Sequence, residues 1–210
     1  MYDLPHFKEP DADKVKQFMQ QHPFAMMIGC INNTPVATQV PLLMEEREGK
    51  IFLRGHIMRN TDHHKAFAQN QHVLCVFTGA HTYVSASWYT NPQTASTWNY
   101  LSVHAKGTLR FLPKEQLIQI LEETTTRFEN NEQSPASFKN LSQDYVQQLA
   151  KAIIAFEIEV ARIDHVFKLS QNRDQKSYNN IIAKLQQGDN DAQQIATEMQ
   201  QRTTQIFPAD

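Results

Sequence analysis

Between Pro23 and Phe111 the chain passes from one strand-like segment to the next with hardly a helix between them. PFAMMIGCI, TPVATQVPLLM, KIFLRGHIM, HVLCVFTG, AHTYVSASWYT and WNYLSVHAKGTLRFL read as about six strands. Asn32-Asn33 and Gly49 mark tight turns between neighbours. Consecutive strands with short connections favour an antiparallel sheet or a small barrel with helices around it, so the expected fold is mainly β with peripheral helices. PFAMMIGCI is almost continuously apolar and predicts a strand covered on both faces.

Helices bracket this region. Asp11 is a suitable N-cap for DADKVKQFMQQ, and His22-Pro23 ends that helix, since a residue before proline leaves the α region. Pro113 opens a helix over 113–129, with Leu117, Ile120 and Leu121 as its apolar stripe. Ser142 caps a shorter helix. IAFEIEVARIDHVFKLS is a last alternating strand, with Phe156, Ile158, Val160 and Ile163 inward, and two helices separated at Gly188 finish the chain.

Charge and composition exclude several functions. Lys and Arg number 20 against 22 Asp and Glu, a net charge of −2, so no basic surface is available to coat a polyanion. The surface is instead rich in amides, with 22 Gln and 13 Asn. Cys30 and Cys75 lie in apolar text and read as buried reduced thiols. The N-terminus MYDLPHFKEP has no signal-type apolar core, and no run approaches the ~20 apolar residues of a membrane span. A cytoplasmic protein outside the membrane is the expectation. Neither a GxGxxG turn nor a Walker A loop is present, which argues against a Rossmann or P-loop nucleotide site.

Three clusters carry chemistry. In GHIMRNTDHH, Arg59 and Asn60 follow a strand and precede a short helix. A guanidinium with amide and backbone donors there can hold a phosphate, although spacing alone also fits an ordinary strand-end arginine. His56, His63 and His64 lack the spacing of a zinc site. SASWY…STWNY, residues 85–100, holds both tryptophans, and suits either a flat heteroaromatic ligand or an interface. VFKLSQN, residues 166–172, places Lys168, Ser170, Gln171 and Asn172 at a strand end, where they can hold a phosphate or a carbonyl-rich ring edge, or simply cap the strand. No nucleophilic elbow or carboxylate pair stands out, so any chemistry would belong to a bound cofactor.

Taken together, MYDLPHF, HPFAMM, GHIMRN, FTGAHTYVSASWY, STWNY, VHAKG and FKLSQN resemble the PaiB-like proteins, the FMN-binding negative transcriptional regulators, from residue 1 to about 185. The resemblance implies a six-stranded Greek-key split β-barrel related to the pyridoxamine-phosphate-oxidase-like flavoproteins. It implies a homodimer with FMN at the subunit interface. On that basis residues 1–175 form the FMN-binding domain and 176–210 a helical extension packed on it. Arg59 and Asn60 carry over as phosphate or ribityl contacts. Trp88, Trp98 and Asn99 carry over to the ring end, and Lys168, Ser170 and Gln171 as contacts acting from the partner subunit. The chain departs from the family at Gln39, at Thr61 after Asn60, at Ala86, at Ala95-Ser96, and at His165-Val166, where Gly-Lys is usual.

The family name implies transcriptional regulation. Residues 177–207, the one helix–turn–helix-like stretch, carry Lys184 and Arg202 against Asp189, Asp191 and Glu198, a net charge of −1. A recognition helix should be basic, so direct DNA binding is not expected. An FMN-dependent oxidoreductase and a non-catalytic flavin sensor are the alternatives, both by fold analogy.

Overall fold

A computed structural model describes residues 1–131 and 133–208. One sheet contains seven strands, in the order β2-β1-β5-β6-β7-β4-β3. These are β1 (Phe24–Ile31), β2 (Thr34–Pro41), β3 (Leu43–Arg47), β4 (Lys50–Met58), β5 (His72–Val84), β6 (Thr97–Phe111) and β7 (Ile153–Lys168). Six helices accompany them: α1 (Ala12–Gln21), α2 (Asp62–Gln69), α3 (Lys114–Glu129), α4 (Gln143–Ala152), α5 (Gln175–Leu185) and α6 (Asn190–Ile206). None of the described helices is long and apolar enough to cross a membrane.

Seven strands therefore replace the six that the resemblance implied. TPVATQVPLLM divides at Leu42, whose N–H donates to the Pro23 carbonyl at 2.8 Å instead of continuing the ladder. Conversely, residues 72–84 run as one strand where two segments were expected. The chain forms two compact units, residues 1–18, 78–103 and 164–210 in the first and residues 19–77 and 104–163 in the second, so β5, β6 and β7 each pass from one unit to the other.

In the second unit two tight turns set the strand pairing. Asn32 and Asn33 both have positive φ, 49° and 62°, and close the β1–β2 hairpin with Ile31 opposite Thr34. Glu48 and Gly49, at 52° and 74°, do the same between β3 and β4. Paired positive φ values give a turn whose twist matches the strands, and asparagine and glycine tolerate it best. Leu43, Leu112, Leu117, Ile120, Ala150 and Ala155 form a core cluster beneath α3 and α4. The Glu157 carboxylate, only 4% exposed, lies between Arg47 and Arg110. Burial alone would raise its pKa; hydrogen bonds from Arg110 and Arg47 outweigh that and hold it below the ordinary glutamate value.

β1 does not have the two covered faces expected of it. Ala25 and Met27 are fully buried, while Phe24 is 65% and Met26 40% exposed. Hydropathy signals that a face is apolar, not which chain covers it. Cys75 is buried, its thiol pushed up to about 12 by desolvation, whereas Cys30 is only half-buried.

In the first unit the C-terminal helices present apolar stripes at helical spacing. Tyr178, Ile181, Ile182 and Leu185 of α5, and Ala192, Ile195, Ala196 and Met199 of α6, are buried. The Tyr178 hydroxyl donates to the Met199 carbonyl at 2.9 Å.

Gly107 of β6 is the most closely approached glycine of the second unit. A Cβ added there would lie 2.3 Å from the Glu159 carbonyl oxygen of β7. Gly107→Ala should therefore cost roughly 1–3 kcal/mol, the range for overpacking a tight contact. A urea midpoint equal to that of the parent chain would contradict this packing.

Candidate functional site

The second unit holds the phosphate-type residues. β4 ends at Met58, and Arg59 follows, exposed but anchored twice. Its backbone N–H donates to the Ala152 carbonyl at 2.9 Å and its Nε to the Ile153 carbonyl at 3.0 Å. Among the described residues neither terminal amino group of its guanidinium has a partner, so the fork is oriented and open. Asn60 adopts φ +65°, which turns the chain into α2, and its N–H donates to His64 Nδ1 at 3.1 Å. Thr61 caps α2, its side chain accepting from the His64 N–H. The His64 ring packs 5.1 Å from Phe111, and burial, followed by the Arg59 charge, lowers its pKa. A neutral imidazole there leaves the positive charge to Arg59 and the N-terminal amides of α2.

The first unit gathers the remaining residues. TWNY opens β6 and KLSQN closes β7, and the two segments meet through paired hydrogen bonds. Lys168 Nζ donates to Thr97 Oγ1. Ser170, at φ +62° and 2% exposed, donates from its hydroxyl to Asn99 Oδ1 at 3.0 Å. Asn99 is fully buried, and its amide nitrogen lies 3.6 Å from the Met199 sulfur. Asn99 and Ser170 thus join the two motifs to each other. Gln171 folds back onto its own turn, accepting from the Leu169 N–H at 2.8 Å and donating to the Phe167 carbonyl. Among these motif side chains, Lys168 and the tryptophans have surface to offer a ligand.

Trp98 is 53% exposed, flanked by Tyr83 at 6.0 Å and His81 at 6.1 Å between ring centroids. Trp88 is half-buried in the 3₁₀ turn Ala86–Trp88, and its carbonyl accepts from the Asn180 side chain at 3.2 Å. Thr90 extends that anchor, its N–H donating to Ser177 Oγ at 2.9 Å and its hydroxyl to Asp174 Oδ2 at 3.0 Å. The aromatic loop is therefore held to the start of α5.

Two features were not legible in the residue patterns. The N-terminal MYDLPHF segment covers Lys168, with the Tyr2 ring 5.7 Å and the Phe7 ring 6.0 Å from its ammonium. Nothing in residue spacing foretells that pairing, since more than 160 positions separate the partners. His165, standing where the family has Gly, holds the same segment: its Nε2 accepts from the Glu9 N–H at 2.9 Å. Desolvation, then the nearby Lys8, lowers the His165 pKa and keeps that nitrogen an acceptor. Val166, in place of the family Lys, is completely buried, so position 166 faces the core here.

The mainly antiparallel sheet with these helices has the fold of the split-barrel proteins. Among solved structures the chain resembles the FAD and heme binding protein from Mycobacterium smegmatis, with a TM-score of 0.58 and 16% identity over 76% of this chain and 72% of that one. It likewise resembles the flavocytochrome Anf3 from Azotobacter vinelandii, with a TM-score of 0.54 and 16% identity over 76% and 68%. The family model described as "Putative FMN-binding domain" matches residues 1–162, and the chain belongs to that family. It is 31% identical over 203 residues, 96% of its own length and 98% of the relative's, to the Protease synthase and sporulation protein PAI 2 of Bacillus subtilis.

Asp174 gives a pH test of the loop anchor. Hydrogen bonds from the Ser177 hydroxyl and N–H hold its carboxyl at about 2. A lowered folded-state pKa stabilises the fold above the unfolded-state value of about 4 and loses that contribution as pH falls through the folded value. The melting-temperature gap between the parent chain and Asp174→Asn should be constant above about pH 5 and close between pH 4 and 2. A gap that does not narrow with acid would rule out the carboxylate as the anchor.

Proposed function

We propose that this protein binds FMN at the interface of a homodimer and acts in regulation through the flavin rather than by reading DNA itself. The observation that carries the proposal is Arg59. Its backbone is tied to the last residue of α4 and its Nε to the first residue of β7, while the rest of its fork is unpaired at the mouth of α2. Such an oriented, unpaired guanidinium is suited to a phosphate monoester. Asn60 supplies an amide beside it. The exposed Trp98, with Tyr83 and His81 around it, is an aromatic surface of the kind a flavin ring uses. Lys168 and Trp88 complete the set of ligand-facing candidates, and Asn99, Ser170 and Gln171 hold their backbone in place. FMN supplies an isoalloxazine ring able to accept one or two electrons; the residues named here bind and orient it.

The dimer is supported by the uncovered apolar face of β1, with Phe24 and Met26, and by Met58, 60% exposed at the end of β4. The doubt about duplex binding is sharpened by Arg202. It is one of the two cations of the 177–207 tail, yet it is 9% exposed and is paired with Glu9 and Glu198.

FMN titrated into the apoprotein should be bound by a particle of two chains, and Arg59→Gln should weaken FMN at least tenfold while leaving riboflavin affinity unchanged. Equal losses for both flavins would remove Arg59 from the phosphate, and sedimentation as a single chain with FMN present would remove the dimer. Anaerobic bleaching of the bound flavin by NADH or NADPH would move the function to the oxidoreductase reading.

In a gel shift with duplex DNA at low salt, no salt-dependent binding below micromolar concentration is expected. A sub-micromolar complex would overturn the indirect reading.

A further inference from the structure

Lys168, one of the flavin-facing candidates above, belongs in the first unit to a cation pair with no counter-charge, whose second member, Arg173, is not among those candidates. Arg173 follows KLSQN directly, and its backbone N–H donates to the Ser170 carbonyl at 3.0 Å, so the left-handed turn at Ser170 folds the chain back at Arg173, five residues after Lys168. Its guanidinium carbon lies 4.1 Å over the centre of the Tyr89 ring. Among the described residues that guanidinium makes no hydrogen bond and no ion pair, and its Nε is buried without a partner. The Tyr89 hydroxyl beneath it is also buried without a partner, in a side chain only 7% exposed. Lys168 is half-buried and has one hydrogen-bond acceptor, the Thr97 hydroxyl. Desolvation, followed by the charge of Arg173, lowers the Lys168 pKa.

The adjacent carboxylate does not compensate. Asp174 is turned away to cap α5, taking the Ser177 N–H at 2.9 Å, the Ser177 hydroxyl at 2.6 Å and the Thr90 hydroxyl. Among the described residues, the other cations of this unit that are not fully exposed are neutralised: Lys8 by Asp3, Lys16 by Asp13, and Arg202 by Glu9 and Glu198. Of the partly or fully buried cations, Lys168 and Arg173 have no carboxylate partner. Two like charges on one turn, partly out of water, flanked by aromatic rings and near enough for one to act on the other, repel one another unless an anion offsets them.

We propose that Lys168 and Arg173 form a binding site for a phosphate monoester, with the Thr97 hydroxyl as a further donor. The chemistry favours phosphate over a single carboxylate. A dianion balances two cations, and a guanidinium fork, an ammonium and a hydroxyl supply donors suited to a tetrahedral group. Thr97 accepts from Lys168, which leaves its own proton free to donate outward. Arg173 belonged to none of the residues singled out from the motifs, because its role arises from what its neighbours fail to provide. The phosphate has two possible sources, the FMN of a neighbouring protomer or a separate phosphorylated small molecule. The site itself stands independently of the Arg59 assignment.

Inorganic phosphate alone is the first probe. Titrated into the full-length apoprotein at constant ionic strength, it should raise the melting temperature saturably, by roughly 3 °C or more at tenfold excess over its Kd. Arg173→Gln and Lys168→Gln should each abolish the rise, and Arg173→Lys should retain part of it. An equal rise with chloride would reduce the effect to screening of two repelling charges and overturn the site. So would a saturable phosphate response that survives in Arg173→Gln. FMN and riboflavin then separate the sources in the same variants. If Arg173→Gln weakens FMN at least tenfold and leaves riboflavin unchanged, the phosphate is the flavin's own. If FMN binding is unaffected while the phosphate response disappears, the site serves a second phosphorylated ligand.

Discussion

Leu42 is the single residue between β2 and β3, and those two strands occupy opposite ends of the sheet order. A sheet whose edges are one residue apart in sequence has to bend round until they meet. Leu42 makes that corner by leaving the ladder, donating its N–H to Pro23 and burying its side chain to 2% exposure. Gly55 of β4 allows the approach, since a Cβ there would lie 3.0 Å from the Pro41 carbonyl. The corner thus brings the end of β2 against β4, the strand from whose end Arg59 emerges. The corner at Leu42, the glycine opposite it and the anchored guanidinium belong to one constraint.

In the first unit the corresponding constraint is the contact between the start of β6 and the end of β7. Thr97 with Lys168 and Asn99 with Ser170 are two side-chain pairs, spaced two residues along each segment. A buried polar pair such as Asn99 with Ser170 is costly to break one member at a time, because the survivor loses its partner without regaining water. The two pairs explain why four polar residues stand where a strand end needs only a cap. They also divide the labour within each motif. Asn99 and Ser170 are sealed inside, while Lys168 and Trp98 remain accessible to a ligand.

The departures at positions 165 and 166 fit the same division. His165 accepts from the Glu9 backbone, Lys8 reaches the His165 carbonyl at 3.2 Å, and Glu9 pairs with Arg202. These contacts tie the N-terminal segment to β7 and α6. That segment in turn lays the Tyr2 and Phe7 rings against Lys168. Where Gly-Lys is usual in the family, this chain has a buried valine beside a histidine that orders the cover over Lys168.

The strand succession, the turns at Asn32-Asn33 and Gly49, and the helix stops at Pro23 and Gly188 were all legible from sequence, because each depends on local backbone preference and short-range hydropathy. The motif set was specific enough to name the family. Which motif residues face a ligand was not legible. Asn99 and Lys168 are both polar and both lie in signature segments, yet one is sealed against Met199 and the other lies beneath aromatic rings. Nor could spacing show that β1 leaves Phe24 and Met26 uncovered, or that Arg173 lacks a counter-ion. Sequence alone determined the β-rich fold and the flavin-binding family. Tertiary structure decided which side chains are spent holding one another, because burial and pairing depend on residues distant along the chain, such as Glu9 with Arg202, Asn99 with Ser170 and Arg59 with Ile153.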